Sequence, residues 1–458
     1  MMDAGRHPNI ELLSYSEVVQ VHGYVGNFQV KVKQKARYVD ISKCTGCGAC
    51  TTACVWQDRV YSEYEAGMGL RAAAYIPFAQ AVPMKAVIDA KSCLLFTRGK
   101  CAMKCAQVCE AKAIDFDQKD EYREVKVGTV VLASGFEPTD DPVLARYGYG
   151  TYDNVIDGLQ FERMSSAAGP TGGRIVTKDG RIPQSVVFLH CIASRDDHAH
   201  EYCSRVCCMY GTKQAHLAKE KTGGQVYQFY IDMRTGGKTY EEFYKRMQHE
   251  GIYYVRGKVA EVVPDPEGSG KLLVRGEDTL LDRYVEVPAD LVVLLTAIRP
   301  SAGSRELGKL FGVSVDKDGF FAELHPKLKP VDSTTAGVFL AGCAQGPKDI
   351  PDTVAQASAA AAKAMVLLSR GEVEIDPTVA EVNRDKCSGC GECILACPYH
   401  AIERVEDKAQ VNIALCKGCG TCVGACLAKA IIGHHFTDEE LISQIAGIFE
   451  REPEEVYA

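Results

Sequence analysis

SVVFLHCIASRDDHAHEYCSRVCCM, residues 185–209, begins as a strand and ends in thiols. SVVFLH (185–190) is a short unbroken apolar run, the pattern of a strand covered on both faces. A helix-like segment follows through Lys221, then QVYQFYID (225–232) reads as a strand, TYEEFYKRMQHEG (239–251) as a helix, and ADLVVLLTAIRP (289–300) as another buried strand. Strands and helices in alternation predict a doubly wound α/β unit. Upstream, NFQVKVKQKARYV (27–39) has strand periodicity with Gly23 and Gly26 as turn punctuation, and VKVGTVVLASGFEP (125–138) is a buried strand running into a glycine turn. GVFLAG (337–342) is a further strand leading into an alanine-rich helix, GEVEIDPTVAEVNRD (371–385) reads as a linker, and DEELISQIAGIF (438–449) as an amphipathic helix.

The chain has 458 residues, enough for several domains, and 21 cysteines. Its N-terminus, MMDAGRHPNIELL, has no basic stretch followed by an apolar one, so no secretory signal is read and the cytoplasm is the expected compartment. Thiols stay reduced there, which leaves metal ligation as the reading for so many cysteines. No apolar run reaches membrane-spanning length; the longest candidate, 357–368, is interrupted by Lys363. A formal net charge of −8 offers no basic field for phosphate backbones, so nucleic acid is not an expected partner.

CSGCGECILACP (387–398) and CKGCGTCVGAC (416–426) repeat the bacterial ferredoxin spacing, in which each run gives three thiolates to one cubane and its fourth to the other. One cluster is then expected on Cys387, Cys390, Cys393 and Cys426, and a second on Cys416, Cys419, Cys422 and Cys397. Glycines between the thiols let the backbone wrap closely and turn N–H groups toward sulfur. Zinc, the alternative, favours two separated CxxC pairs over four cysteines in one run. An earlier group is less regular. Cys44, Cys47, Cys50 and Cys54 keep the spacing, but Cys93, Cys101, Cys105 and Cys109 depart from it and follow only after residues 55–92. The same exchange puts Cys44, Cys47, Cys50 and Cys109 on one cluster and Cys93, Cys101, Cys105 and Cys54 on another; one cluster plus buried thiols is the alternative. His434 and His435, beside a complete cysteine set, read as solvated rather than as ligands.

VVLASGFEP, with Ala133, Ser134, Gly135 and Phe136, resembles the strand and turn that close the FAD domain of two-dinucleotide-domain flavoproteins, and VLLTAIRP resembles its echo in the nicotinamide domain, with Ala297 where glycine is usual. VDSTTAGVFLAGCAQGPKDIPDTVAQA (331–357) is similar to the last flavin motif of the thioredoxin reductase family. That resemblance implies flavin contacts from Gly342, Cys343, Lys348, Asp349, Ile350, Gln356 and Ala357, with a helix N-terminus facing the flavin or its phosphates. Cys343 replaces an acidic residue and on its own reads as a small buried side chain; Lys348 on its own reads as a surface lysine beside a turn. In this frame, residues 191–209 stand where a nicotinamide-binding loop would carry GxGxxG, yet no glycine is present to admit a pyrophosphate. Cys191, Cys203, Cys207 and Cys208 are therefore read as ligands of a fifth cluster in that crevice, with buried or zinc-bound thiols as the alternative.

CIASRD with YCSRVCCMYGTKQA, GCAQGPKDIP with AQASAAAAKA, and the terminal HHFTDEELISQI resemble the flavin-carrying A subunit of heterodisulfide reductase and its bacterial relatives across essentially the whole chain. The resemblance implies an α/β thioredoxin-reductase-like two-dinucleotide-domain flavoprotein frame, its FAD domain incomplete, with an inserted and a C-terminal α+β bacterial-ferredoxin-like domain. The implied domains are a partial FAD domain (1–40), an inserted dicluster ferredoxin domain (41–118), an FAD-domain return (119–150), a nicotinamide-domain-like unit carrying a cluster (151–300), the C-terminal part of the FAD domain (301–372), a two-cluster ferredoxin domain (373–433) and a helical tail (434–458). Implied cofactors are five 4Fe-4S clusters and FAD. Implied partners are proteins like the B and C subunits of heterodisulfide reductase, an electron-input module such as a hydrogenase or formate dehydrogenase, and ferredoxin. Family members carry a further cluster domain and the GxGxxG turn ahead of the segment matched here, which implies an ADP site completed by a second polypeptide or by an upstream segment. The implied function is electron transfer within an oxidoreductase complex, with bifurcation or confurcation at the flavin and no catalytic residue singled out. The alternatives are a flavin-free iron–sulfur wiring scaffold and an accessory component of a nicotinamide oxidoreductase.

Overall fold

The computed structural model describes residues 2–374 and 376–449. Strands β1 (Ser16–His22) and β2 (Phe28–Gln34) pair antiparallel across a turn in which Gly23 and Gly26 have φ of 91° and 85°. After the first cysteine-rich segment, β3 (Glu121–Val127) pairs with the other edge of β2, and β4 (Val130–Leu132) follows. Next come β5 (Val155–Asp157), β6 (Ser185–Ile192), helix α1 (Cys207–Thr222), β7 (Gln225–Tyr230), helix α2 (Tyr240–His249), β8 (Tyr253–Arg256) and β9 (Leu291–Thr296). The chain continues through β10 (Glu323–His325), β11 (Lys329–Ser333), β12 (Val338–Leu340) and helix α3 (Ile350–Arg370) to the second cysteine-rich segment and helix α4 (Asp438–Phe449).

The doubly wound unit is a five-stranded parallel sheet in the order β5-β9-β6-β7-β8. Its middle strands, β6 and β9, have no polar alternation because both of their faces are covered. Val187, Leu189, Val292 and Leu294 pack against an antiparallel meander (259–264, 272–278, 283–289), while Val186, Phe188, Val293 and Leu295 pack with Ala215 and Ala218 of α1 and Met247 of α2. Strand order runs from β6 through β7 to β8 on one side and through β9 to β5 on the other. The carboxyl end of β6 is therefore the topological switch point, where open α/β sheets place their ligands.

A second sheet has the order β10-β11-β12-β4, with only the β12–β4 pair parallel. Among the described residues β4 pairs on one side alone, and Val131 is 43% exposed. Helix α3 covers this sheet through Ala360, Ala364 and Leu367 but leaves Val354, Met365 and Leu368 in solvent. Short antiparallel segments, Phe136–Pro138 and Ile298–Pro300, tie the two sheets together.

Residues 371–385 are not all linker. Ala380–Val382 is a strand paired with Ile431–Gly433, and burial of Ala380 against the second cysteine-rich segment holds it there. No helix among the described residues is long and apolar enough to cross a membrane.

Candidate functional site

Packing in the C-terminal segment brings distant cysteines together. Cys393 lies among Cys387, Cys390 and Cys426, and burial followed by the charge of these neighbours raises its thiol pKa. Cys422 lies among Cys416, Cys397 and Cys419; burial and then the same repulsion push it up to about 11. Two short helices, Glu392–Ala396 and Thr421–Ala425, start from left-handed Gly391 and Gly420 and present these thiols. Backbone N–H groups donate to sulfur from Ala380 to Cys416 (3.4 Å), Ala401 to Cys397 (3.3 Å) and Ala430 to Cys426 (3.3 Å). Crowded thiols, one in each set resisting ionisation through burial, ringed by N–H donors, suit a polycationic core that takes them as thiolates.

The inserted segment repeats this plan despite its irregular spacing. Cys50 lies among Cys44, Cys47 and Cys109, and Cys105 among Cys54, Cys101 and Cys93. Burial is the main cause that raises both, Cys105 to about 11. N–H groups of Met103 and Ala113 reach Cys101 and Cys109 at 3.4 and 3.3 Å. A lysine missed in the sequence is shared by the two segments. The Lys85 ammonium donates to the Cys44 carbonyl and the Lys408 ammonium to the Cys387 carbonyl, each placing a cation beside the first cysteine of its run. Its sequence signal is position: each lysine directly follows the residue, Met84 or Asp407, whose carbonyl abuts the glycine inside the first CxxC.

The fifth set sits at the switch point. Cys191 is the penultimate residue of β6, with φ 58°, and Cys207 and Cys208 open α1. Cys207 hydrogen-bonds to both Cys191 and Cys208, which lowers those two thiols while its own is raised. These three are buried and in direct contact; half-buried Cys203 is linked to them through Arg195, whose charge acts on both Cys191 and Cys203. Arg195 Nη2 donates to Asp232 at 2.8 Å, and its buried Nη1 has no protein partner. Gly211 lets α1 approach the sheet: a Cβ there would lie 2.4 Å from Leu295 Cδ1 and 3.2 Å from His190 Cε1. Among the described residues no group of three His, Cys, Asp or Glu closes tightly enough for one metal ion. A cubane spreads its four thiolates over four irons, so it suits wider sets.

Beside this set lies a cavity of about 1090 Å³. Arg205, Val206 and Met209 line it from the cysteine side, and Phe136, Lys348, Asp349 and Ile350 from the other. The remaining expected flavin contacts, Ala133, Ser134, Gly135, Gly342, Cys343, Gln356 and Ala357, do not line it. Gln356 Oε1 accepts from the Gly342 N–H at 2.8 Å, and Asp349 caps α3 by accepting from the Asp352 N–H at 2.8 Å. Lys348 is half-buried, not a surface lysine, and its ammonium donates to Gly342 O, Gln345 Oε1 and Gly346 O at 2.8, 3.0 and 2.8 Å. That charge is held within its own loop, and burial keeps it below the ordinary lysine range. Cys343 is partly exposed, with Sγ 3.5 Å from Lys348 O, and His434 bonds Glu381 at 2.7 Å in solvent. The cavity's volume and aromatic walls fit a flavin ring, while among the described residues no glycine-rich loop for an ADP half lines it.

Fold and site together define an iron–sulfur α/β protein of the dinucleotide-binding and ferredoxin-like kind. Residues 380–403 match the 4Fe-4S binding domain family. The A subunit of the H(2):CoB-CoM heterodisulfide,ferredoxin reductase of Methanothermobacter thermautotrophicus is 48% identical over 97% of this chain and 67% of its own length. The second iron-sulfur A subunit of the CoB--CoM heterodisulfide reductase of Methanopyrus kandleri is 48% identical over 99% of this chain and 69% of its own. Among solved structures, T. acidophilum thioredoxin reductase aligns with 65% of this chain and 84% of its own at 14% identity and a TM-score of 0.36, too distant to carry an argument. The chain belongs to the family of heterodisulfide reductase A subunits.

Proposed function

We propose that this chain, an electron-transfer component of a heterodisulfide-reductase-type oxidoreductase complex, carries five 4Fe-4S clusters and contributes to an FAD site. The observation that carries the proposal is the cavity bounded on one side by Phe136, Lys348 and Ile350 and on the other by the start of α1, which holds Cys207 and Cys208 of the Cys191, Cys203, Cys207 and Cys208 set. Bound FAD would exchange electrons as a pair or singly, and each cluster would exchange one. The chain's own residues bury the thiolates, aim N–H groups at sulfur and hold Arg195, Lys85 and Lys408 near them. The N–H donors and the cations favour an added electron, and burial of the thiolates opposes it.

The domain limits proposed are those of the resemblance: 1–40, 119–150 and 301–372 for the partial FAD domain, 41–118 and 373–433 for the ferredoxin-like units, 151–300 for the nicotinamide-domain-like unit, and 434–458 for the tail. The open edge of β4 and the bare face of α3 support a sheet completed by another polypeptide or an upstream segment. Proposed partners are proteins like the B and C subunits of heterodisulfide reductase, ferredoxin and an electron-input module, in a cytoplasmic complex. The relatives' printed names include ferredoxin and, for one from Methanococcus maripaludis, hydrogen and formate. A pyridine nucleotide is not expected to bind this chain, since cysteines occupy its crevice.

Anaerobic purification of the native complex, with FAD, iron and sulfide counted per chain, tests the proposal. Bound FAD and about 20 irons, four per expected cubane, support it. Clusters without flavin, and no partner or extension carrying GxGxxG, would leave the wiring scaffold.

A further inference from the structure

Directly before Cys191, His190 is buried beneath α1, only 4% exposed. Its Nε2 lies 2.7 Å from Gln228 Oε1 on β7, and Gln228 stands in register with Tyr254 on β8. Three buried polar atoms on these neighbouring strands have no partner: His190 Nδ1, Gln228 Nε2 and the Tyr254 hydroxyl. A buried polar atom left without a partner is destabilising. The two ends of a carboxamide are interchangeable by a half-turn, and such a turn at Gln228 answers all three at once. The tyrosine hydroxyl then donates to the amide oxygen, the amide NH₂ donates to His190 Nε2, and the imidazole proton must sit on Nδ1. The neighbouring sulfur is that of Cys208, at the start of α1, the helix that covers the ring.

We propose that Tyr254, Gln228 and His190 form a fixed relay that presents the Nδ1–H of a neutral imidazole to the Cys208 sulfur and raises the reduction potential of the cluster at the switch point. This rests on the assignment of a cluster to Cys191, Cys203, Cys207 and Cys208. Reduction adds one negative charge that spreads onto the thiolates, so a donor stabilises the reduced form more than the oxidised one. No change of charge at the ring is needed, because the relay selects a tautomer. His190 is thus a positioning residue, and Gln228 and Tyr254 act through it.

The test is an EPR-monitored redox titration of the full chain with its partners, following the signal that Cys207→Ala removes. His190→Leu is expected to shift that cluster's one-electron equilibrium at least tenfold toward the oxidised form, about 59 mV, and to leave the other signals in place. His190→Asn keeps an amide N–H near the position of Nδ1 and should stay within about threefold of the native equilibrium, roughly 28 mV. Should His190→Leu not fold, the native protein carrying ¹⁵N-histidine supplies the same test: electron spin echo spectra of the reduced cluster should show coupling to one imidazole nitrogen. An unmoved potential, a shift in His190→Asn as large as in His190→Leu, or no nitrogen coupling overturns the relay while five clusters are present. Four clusters per chain would overturn the assignment beneath it as well.

Discussion

Replacing Gly418 and Gly420 by alanine, one at a time, separates two demands made by the loop that winds around a cluster. Both glycines are left-handed, at φ 61° and 75°, so an alanine at either position incurs about 1–2 kcal/mol of backbone strain. Their surroundings differ. A Cβ on Gly420 meets nothing within 4 Å, whereas on Gly418 it would lie 2.3 Å from the Thr378 carbonyl oxygen and 2.8 Å from its Cγ2. Thr378 cannot retreat freely, because the neighbouring Val379 carbonyl accepts from the His434 N–H at 2.9 Å and leads into the strand paired with Ile431–Gly433. Relieving the overlap should cost a further ~1–3 kcal/mol, as overpacking does elsewhere. Gly418→Ala is thus expected to lose about 2–5 kcal/mol and Gly420→Ala about 1–2. The assay is iron retention by the anaerobic full chain against a graded chelator, with thermal unfolding alongside. The gap should appear as at least about a fivefold easier loss of one C-terminal cluster in Gly418→Ala. Equal losses in the two variants would refute the steric argument and leave φ alone as the constraint. Gly46 and Gly389, each 2.3 Å from a carbonyl by the same construction, should behave like Gly418.

Cys426→Ala is expected to abolish the signal of the cluster that includes Cys387, Cys390 and Cys393 and to spare the one that includes Cys416, Cys419 and Cys422; EPR of the reduced protein reading the reverse would refute the exchange. Lys348→Met removes the one ammonium shared by Gly342 O, Gln345 Oε1 and Gly346 O, and should cost about 1.5–3 kcal/mol in denaturant titration and speed proteolysis at residues 342–349. An unchanged midpoint and cleavage rate would show that the loop holds itself.

Strand β6 was legible because a strand buried on both faces must be apolar throughout; the meander between residues 259 and 289 was not, since its strands bury one face and interrupt themselves with charge. The Ala380–Val382 strand was hidden in an acidic stretch for the same reason: one small buried residue is all it contributes. Cysteine runs could be read because spacing along the chain limits which thiols a turn can bring together. In the irregular first group, spacing alone left one cluster or two open, and packing brings Cys54 beside Cys105 and Cys109 beside Cys50. Lys348 looked like a free cation near a cofactor, and only the closed loop reveals that its three donors are already taken.

By itself the sequence determined the iron–sulfur character, the alternation of strands and helices, and the absence of a glycine turn after β6, because each of these is written within a few neighbouring residues. Tertiary structure alone decided the place of Cys191 at the switch point, the shared Lys85 and Lys408 contacts, and the line from Tyr254 through Gln228 to His190. Those groups lie far apart in sequence, and strand order and burial set their meeting.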